Sequence, residues 1–219
     1  MQNLIGRILL IFCILWLFSS LSLAQGLFSD EIVIFRSETS YPLSVYAADL
    51  DGDGDMDVLS GSWGDDKIAW YENTDGRGHF GLKQVLFTLE GDAKSVYAAD
   101  LDGDGDLDVL SASSALLRNF IIAWYENTDG KGNFGPQKVI SISVNWPESV
   151  YAADLDGDGD VDVLSASSGD DKIAWYENSN GQGRFGPQQV MTTSADGAKC
   201  VYAADLDGDG DLDVLSASW

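Results

Sequence analysis

From residue 44 onward the chain repeats one alternation of apolar and polar positions. Val45-Tyr46-Ala47-Ala48 leads into a run of aspartates and glycines, and Val58-Leu59-Ser60 follows it. After Gly64-Asp65-Asp66, residues 67–72 set Ile68 and Trp70 on one side and Ala69 and Tyr71 on the other, the period-two pattern of a half-buried strand. Asn73-Thr74-Asp75-Gly76 makes a turn, Phe80-Gly81 ends the loop, and Gln84-Val85-Leu86-Phe87 supplies a fourth apolar segment. Each unit is therefore predicted to hold four short antiparallel strands, and none of these segments carries a sustained helical period.

The unit recurs in register. The phrase Ser/Cys-Val-Tyr-Ala-Ala-Asp-Leu-Asp-Gly-Asp-Gly-Asp begins its acidic run at Asp49, Asp100, Asp154 and Asp205, spacings of 51, 54 and 51 residues. The three extra residues fall at one place. Asp57 to Trp70 and Asp162 to Trp175 are each 13 positions, whereas Asp108 to Trp124 is 16. A period near 50 with four strands per unit is the signature of an all-β fold, a β-propeller of four-stranded antiparallel blades. The segments divide as 25–43, a lead-in strand of a preceding blade; 44–94, repeat 1; 95–148, repeat 2; 149–199, repeat 3; and 200–219, a partial repeat 4. Glu31 to Phe35 reads as that lead-in strand, and the last repeat contributes two strands before Trp219. Fifteen strands are one short of four blades, so an incomplete ring or a fragment of a longer array is expected rather than a closed four-blade ring.

Residues 1–24 read differently. Arg7 is the only charge before Asp30, Ile8 to Phe18 is unbroken apolar, and Ser22 and Ala24 offer a small-x-small site. This is the pattern of a signal peptide cleaved after Ala24. Eleven apolar residues are short of the roughly 20 that cross a bilayer, so a secreted, extracellular chain with no membrane span in its mature part is expected. Cys13 leaves with the signal and Cys200 stays alone, so stability rests on packing or metal rather than on a disulfide. Cys200 occupies the position of Ser44, Ser95 and Ser149, as a small residue beginning a strand.

Composition narrows the function. Twelve Lys and Arg stand against 36 Asp and Glu, a formal net charge of −24. Binding to a phosphate backbone depends on basic residues displacing condensed counterions, so nucleic acid is excluded as a partner. Extended disorder fits poorly with 45% hydrophobic and 11% aromatic residues.

Twenty of the 36 acidic residues lie in the repeated loop. Asp49-Leu50-Asp51-Gly52-Asp53-Gly54-Asp55-Met56-Asp57 offers carboxylates at positions 1, 3, 5 and 9 and a main-chain carbonyl at position 7, with Gly54 permitting the sharp turn. Six to eight hard oxygen ligands in flexible geometry suit Ca²⁺; Mg²⁺ prefers a stricter octahedron, and the thiolate and imidazole ligands of zinc and copper are missing from the loop. The alternative is a solvated acidic turn, since Asp and Gly favour turns on their own account. Against it, five carboxylates within nine residues repel one another unless a cation neutralises them. An EF-hand shares the first positions but places a bidentate Glu at position 12; here that position is Ser60, Ser111, Ser165 and Ser216, and the flanks read as strands.

This Asp-x-Asp-x-Asp-Gly-x-x-Asp loop inside a hairpin, with Phe80-Gly81, Phe134-Gly135 and Phe185-Gly186 later in each unit, resembles the FG-GAP and VCBS repeats of integrin α-subunit propellers and of many secreted bacterial proteins. The Gly-Ala-Pro element is absent, which places the likeness nearer the VCBS branch. The resemblance implies a calcium-binding propeller with about one Ca²⁺ per loop, up to four. By position the ligands would be Asp49, Asp51, Asp53, Asp55 (through its carbonyl) and Asp57. Equivalent sets are Asp100, Asp102, Asp104, Asp106 and Asp108, then Asp154, Asp156, Asp158, Asp160 and Asp162, and finally Asp205, Asp207, Asp209, Asp211 and Asp213.

No catalytic set is expected. His79 is the sole histidine and its counterparts are Asn133 and Arg184; Glu72, Glu126 and Glu177 recur in Trp-Tyr-Glu-Asn and read as structural. The function read from these features is a non-catalytic extracellular adhesion or recognition module whose partner is a protein or glycan; the alternative is a targeting propeller domain of a larger secreted hydrolase or lyase. Two features are candidates for partner contact. The insertion Ala115-Leu116-Leu117-Arg118-Asn119-Phe120 either meets a partner or packs on a neighbouring blade. The pairs Trp70/Tyr71, Trp124/Tyr125 and Trp175/Tyr176 either stack on sugars or fill the space between blades.

Overall fold

Period-two patterning and Asp/Gly punctuation produce what they predict: antiparallel meanders. The computed structural model describes residues 33–34, 41–89, 91–115 and 119–219. The signal segment and its cleavage site lie outside the described residues. So does most of the lead-in strand, of which Val33 and Ile34 are described and belong to no strand. Among the described residues there are fourteen strands and no helix.

Blade 1 is formed by β1 (Pro42–Ala48), β2 (Asp57–Ser62), β3 (Lys67–Tyr71) and β4 (Gln84–Thr88). Blade 2 follows with β5 (Ala93–Ala99), β6 (Asp108–Ala115), β7 (Asn119–Tyr125) and β8 (Lys138–Ser141). Blade 3 consists of β9 (Pro147–Ala153), β10 (Asp162–Ser167), β11 (Lys172–Tyr176) and β12 (Gln189–Thr192). β13 (Cys200–Ala204) and β14 (Asp213–Ala217) form a two-stranded sheet. Sheet order equals chain order in every four-stranded blade. The described blades are an open run and do not close on themselves.

The register repeats in detail. Tyr46 faces Leu59, Tyr97 faces Leu110, Tyr151 faces Leu164 and Tyr202 faces Leu215. Each third strand carries one bulge against the fourth, at Ile68/Ala69, Ile122/Ala123 and Ile173/Ala174. The turns after β2 and β10 set Asp66 (φ 54°) and Asp171 (φ 56°) in the left-handed region, which Asp tolerates better than a branched residue does.

The core lies between blades. One cluster joins Leu50, Leu59 and Trp70 of blade 1 to Val96, Val109 and Tyr125 of blade 2. A second joins Leu101, Leu110 and Trp124 to Val150, Val163 and Tyr176. A third joins Leu164 and Ile173 to Ala198 and Val201. All members of the Trp/Tyr pairs except Tyr71 belong to these clusters or pack against them. Trp70, Trp124, Tyr71, Tyr125 and Tyr176 are buried and Trp175 is partly buried, so they pack between blades rather than offering a sugar platform. Trp70 lies flat enough on the next blade that a side-chain carbon on Gly132 (φ +75°) would fall 2.4 Å from its Cζ2.

Phe120, at the end of the insertion, turns inward. The insertion lengthens β6 and β7 into a hairpin paired as far as Ala115 and Asn119. Phe120 is buried, its ring 5.1 Å from that of Trp146 at the start of the next blade. Residues 116–118 lie outside the described residues.

Three kinds of hydrogen bond stitch the blades, and two were not legible as such. Ser44, Ser95 and Ser149 each accept an N–H from the next blade through Oγ, from Val96 (3.1 Å), Val150 (3.2 Å) and Val201 (3.3 Å). A small side chain with an acceptor is what that strand start requires; exposed Cys200 stands at the equivalent place in the last sheet. Asn127 and Asn178 reach back to the preceding blade, as described below. Lys199 also pairs with Glu148 at 2.7 Å.

Candidate metal centres

Each acidic loop joins the first two strands of its sheet, so the hairpin fixes where position 1 and position 9 stand. Position 1 is clamped by the loop's own backbone. Asp100 accepts from Gly103 N (2.7 Å) through Oδ1 and from Gly105 N (3.0 Å) through Oδ2, and Asp154 and Asp205 repeat this with Gly157, Gly159, Gly208 and Gly210. Asp49 differs slightly, accepting from Asp53 N (3.1 Å) and Gly54 N (3.0 Å).

Position 5 caps the turn. Asp53, Asp104, Asp158 and Asp209 each accept through Oδ1 the N–H two residues on, at Asp55, Asp106, Asp160 and Asp211. Position 7 points its carboxylate elsewhere. An added side-chain carbon on Gly76 (φ +63°) would fall 2.4 Å from Asp55 Oδ1, and Asp106 and Asp160 stand equally close to Gly130 and Gly181. Those carboxylates press on the turn of their own blade, where only glycine fits.

Position 9 is the best-held group. Asp57, Asp108 and Asp162 are buried. Asp108 Oδ2 accepts from Leu101 N (2.9 Å) and Oδ1 from Asn127 N (2.8 Å); Asp57 and Asp162 take the same pair of bonds from Leu50 and Asn73 and from Leu155 and Asn178. This tie between loop and third strand was missed at the sequence level, although Asn follows the ninth Asp by 16, 19 and 16 positions in every unit, the middle value carrying the insertion.

The geometry gathers three carboxylates per loop. One oxygen from each of Asp49, Asp51 and Asp53 lies within 4.8 Å of the other two, as do those of Asp100, Asp102 and Asp108, of Asp154, Asp156 and Asp162, and of Asp205, Asp207 and Asp213. Positions 1 and 3 are thus brought together in all four loops. Position 9 joins them in the last three and position 5 in the first.

Electrostatics shows the strain of this arrangement. Asp108 is pushed up to about 7, chiefly by burial, with the carboxylates of Asp102 and Asp104 adding to it and the N–H groups of Asn127 and Leu101 opposing. Asp162 rises to about 6 for the same reasons, with Asp156 and Asp158 as its neighbours. Asp51 also rises to about 6, through burial first and then Asp57 and Asp53. Asp57 and Asp102 shift upward as well, again chiefly from burial. Asp102 Oδ1 is buried with no hydrogen-bond partner. A buried carboxylate oxygen without a donor is costly. Crowded all-oxygen donors, three within reach of a single ion and one of them orphaned, fit a hard divalent cation. Bound there, the ion would supply positive charge that reverses the direction of these shifts.

His79 serves its turn. Its Nδ1 stands 2.6 Å from Asp75 Oδ2, and Asn133 bonds Asp129 in the equivalent place. Glu126 pairs with Lys138.

Two solved structures share this fold. A lectin of Agrocybe aegerita, described as specifically recognising non-reducing terminal N-acetylglucosamine, aligns with a TM-score of 0.53 at 22% identity, over 78% of this chain and 45% of that one. A rhamnogalacturonan lyase of Bacillus licheniformis aligns with a TM-score of 0.52 at 15% identity, over 80% of this chain and 40% of that one. The chain therefore spans less than half the length of either structure. No curated protein matches it. The FG-GAP-like repeat model matches residues 49–111, 114–165 and 154–216, each match containing an acidic loop. With those matches covering most of its length, and with the loop, hairpin and Phe-Gly turn in register in each, the chain belongs to the FG-GAP-like repeat family.

Proposed function

We propose that this chain is a calcium-stabilised, non-catalytic recognition module that works outside the cell on a glycan or protein ligand. The observation that carries the reading is the set of four carboxylate trios on equivalent hairpins. Most of their oxygens accept loop N–H groups, and three carboxylates per loop stand within reach of one ion, which suits them to hold a cation rather than to do acid–base work on a substrate. Ca²⁺ would be held by positions 1, 3, 5 and 9 with the carbonyl of position 7. Four ions would take the charge of the chain without its first 24 residues from −25 to −17, since Arg7 leaves with them.

Rigidity is what the ions contribute. The loop of one blade is hydrogen-bonded to the next, so ordering the loops orders the blade-to-blade geometry and holds the connecting loops in fixed positions. Recognition by propellers resides in such loops. Export by the signal segment would place the module in millimolar calcium, where weak oxygen sites fill. The reading is tested by probing glycan and protein arrays with and without calcium. Calcium-dependent binding supports it, and equal signals with chelator present count against it.

A second reading is a targeting domain within a larger secreted hydrolase or lyase. It is favoured by the short span of this chain against the lyase whose fold it shares. Here the chain would hold an insoluble polysaccharide without turning it over, which a sedimentation assay against product release distinguishes from adhesion to a protein.

A further inference from the structure

The first strand of every sheet contributes one tyrosine to a continuous row. Tyr46 and Tyr97 have ring centroids 4.5 Å apart at 44°, Tyr97 and Tyr151 5.0 Å at 53°, and Tyr151 and Tyr202 4.6 Å at 52°. The first and last spacings sit at the short end of the roughly 4.5–7 Å range of aromatic pairs. They are only slightly longer than the separation of two rings joined by one carbon–carbon bond. Rings at this spacing are close enough for the carbons ortho to each hydroxyl to meet, and those are the carbons that couple when two phenoxyl radicals form. Tyr202 is 51% exposed.

We infer that this row is an oxidative cross-linking site, at which a one-electron oxidant of the peroxidase or photosensitiser class joins Tyr46 to Tyr97 and Tyr151 to Tyr202 as o,o′-dityrosine. Each phenol gives up one electron to the oxidant and its O–H proton to solvent. The two radicals of a pair then form a carbon–carbon bond between their ortho carbons. The hydrogens on those carbons shift to the oxygens, restoring two phenols. Per link, two electrons and two protons leave, and one hydrogen peroxide accepts both and becomes two waters. Two links use all four rings, and the wider Tyr97–Tyr151 gap is left uncoupled. The product joins blade 1 to blade 2 and blade 3 to the β13–β14 sheet by bonds that do not depend on a metal ion.

The other tyrosines provide the contrast. Tyr125 and Tyr176 accept hydrogen bonds from Gln137 and Gln188 at 2.9 Å and are buried. Tyr41 stands beside Trp63.

The test uses the full chain carrying Cys200→Ser, the residue found at that place in the other repeats, to remove a competing thiol. Dilute protein is exposed to a haem peroxidase with limiting peroxide, and separately to a small photosensitiser with persulfate. The expected product is a monomer with dityrosine fluorescence that has lost two hydrogens per link, with peptide mapping placing the links at Tyr46–Tyr97 and Tyr151–Tyr202. Tyr97→Phe should abolish the first link and keep the second, Tyr202→Phe should do the reverse, and Tyr125→Phe should change neither. Cross-links only between chains, links through Tyr41 or Tyr125, or oxidation with no dityrosine under both oxidants would overturn the assignment.

Discussion

Asn127 Nδ2 donates to the main-chain carbonyl of Leu50 at 2.9 Å, across 77 residues of sequence and from one blade to the one before. The same asparagine donates its N–H to Asp108 at 2.8 Å, so a single residue ties the acidic loop of its own blade to that of its neighbour. Asn178 does the same between Leu101 and Asp162. Leu50 sits between Asp49 and Asp51, and both partners are buried. Loop order and blade packing are one problem in this fold.

Replacing Asn127 by Ala would leave the buried carbonyl of Leu50 without its donor. Loss of a buried hydrogen-bond partner costs about 1–3 kcal/mol. Urea unfolding of Asn127→Ala should show a lower midpoint at an unchanged m-value. Unchanged stability would show that the link between blades is carried elsewhere.

Asp108 should matter more with metal than without it. Fully buried, its carboxylate is costly to ionise alone and valuable beside a divalent cation. Asp108→Asn removes the charge and keeps the shape, but turns an NH2 group toward one of the two N–H groups that Asp108 accepts. In chelator at pH 8 the relief of the buried charge offsets that loss, so the variant should fall only slightly. In calcium it should fall further, because one loop has also lost a ligand. A variant that falls by the same amount in both conditions would assign Asp108 a purely structural role.

The metal-free protein should lose stability as pH rises. Asp108 ionises at about 7 in the folded state against an ordinary value of 3.8, so between those values the native state binds more protons than the unfolded chain. Stability then falls with increasing pH across that window, and Asp51 and Asp162, each raised to about 6, act in the same direction. Calcium should abolish or invert the slope by holding these carboxylates ionised. Melting temperatures from pH 4 to pH 8 in chelator and in calcium give the comparison.

Gly132 is a steric requirement. At φ +75°, with Trp70 Cζ2 2.4 Å from any added carbon, Gly132→Ala forces the indole or the turn to move. Overpacking of this kind costs about 1–3 kcal/mol. Gly183, facing Trp124 in the same way, should give a similar loss, whereas Gly54, with open space around it, tests the left-handed backbone alone.

The strands, their number per unit and the acidic loops were legible because they rest on local signals: period-two alternation and the turn chemistry of Asp and Gly. The fourfold repetition made each signal stronger than it would be once. What was not legible joins residues 16 to 77 positions apart, beyond the reach of a local pattern. Ser44, Ser95 and Ser149 read only as small strand-start residues, and their hydroxyls prove to be acceptors for the next blade. Asn73, Asn127 and Asn178 read as turn formers, yet they hold the ninth aspartate. The insertion could not be placed by pattern, since an apolar insertion reads alike whether it meets a partner or a neighbouring blade; Phe120 at its end packs against Trp146. Tyr46 and its counterparts were visible as strand residues, but their row exists only once the sheets are stacked.

The account turns on whether the carboxylate trios hold calcium. Isothermal titration of calcium into chelator-treated, folded protein, followed by melting of the same samples, measures this directly. The account expects saturable binding of up to four ions per chain, diminished in Asp53→Ala, with a melting temperature that climbs as the sites fill. Folded protein that takes up no calcium and melts identically in chelator would contradict it.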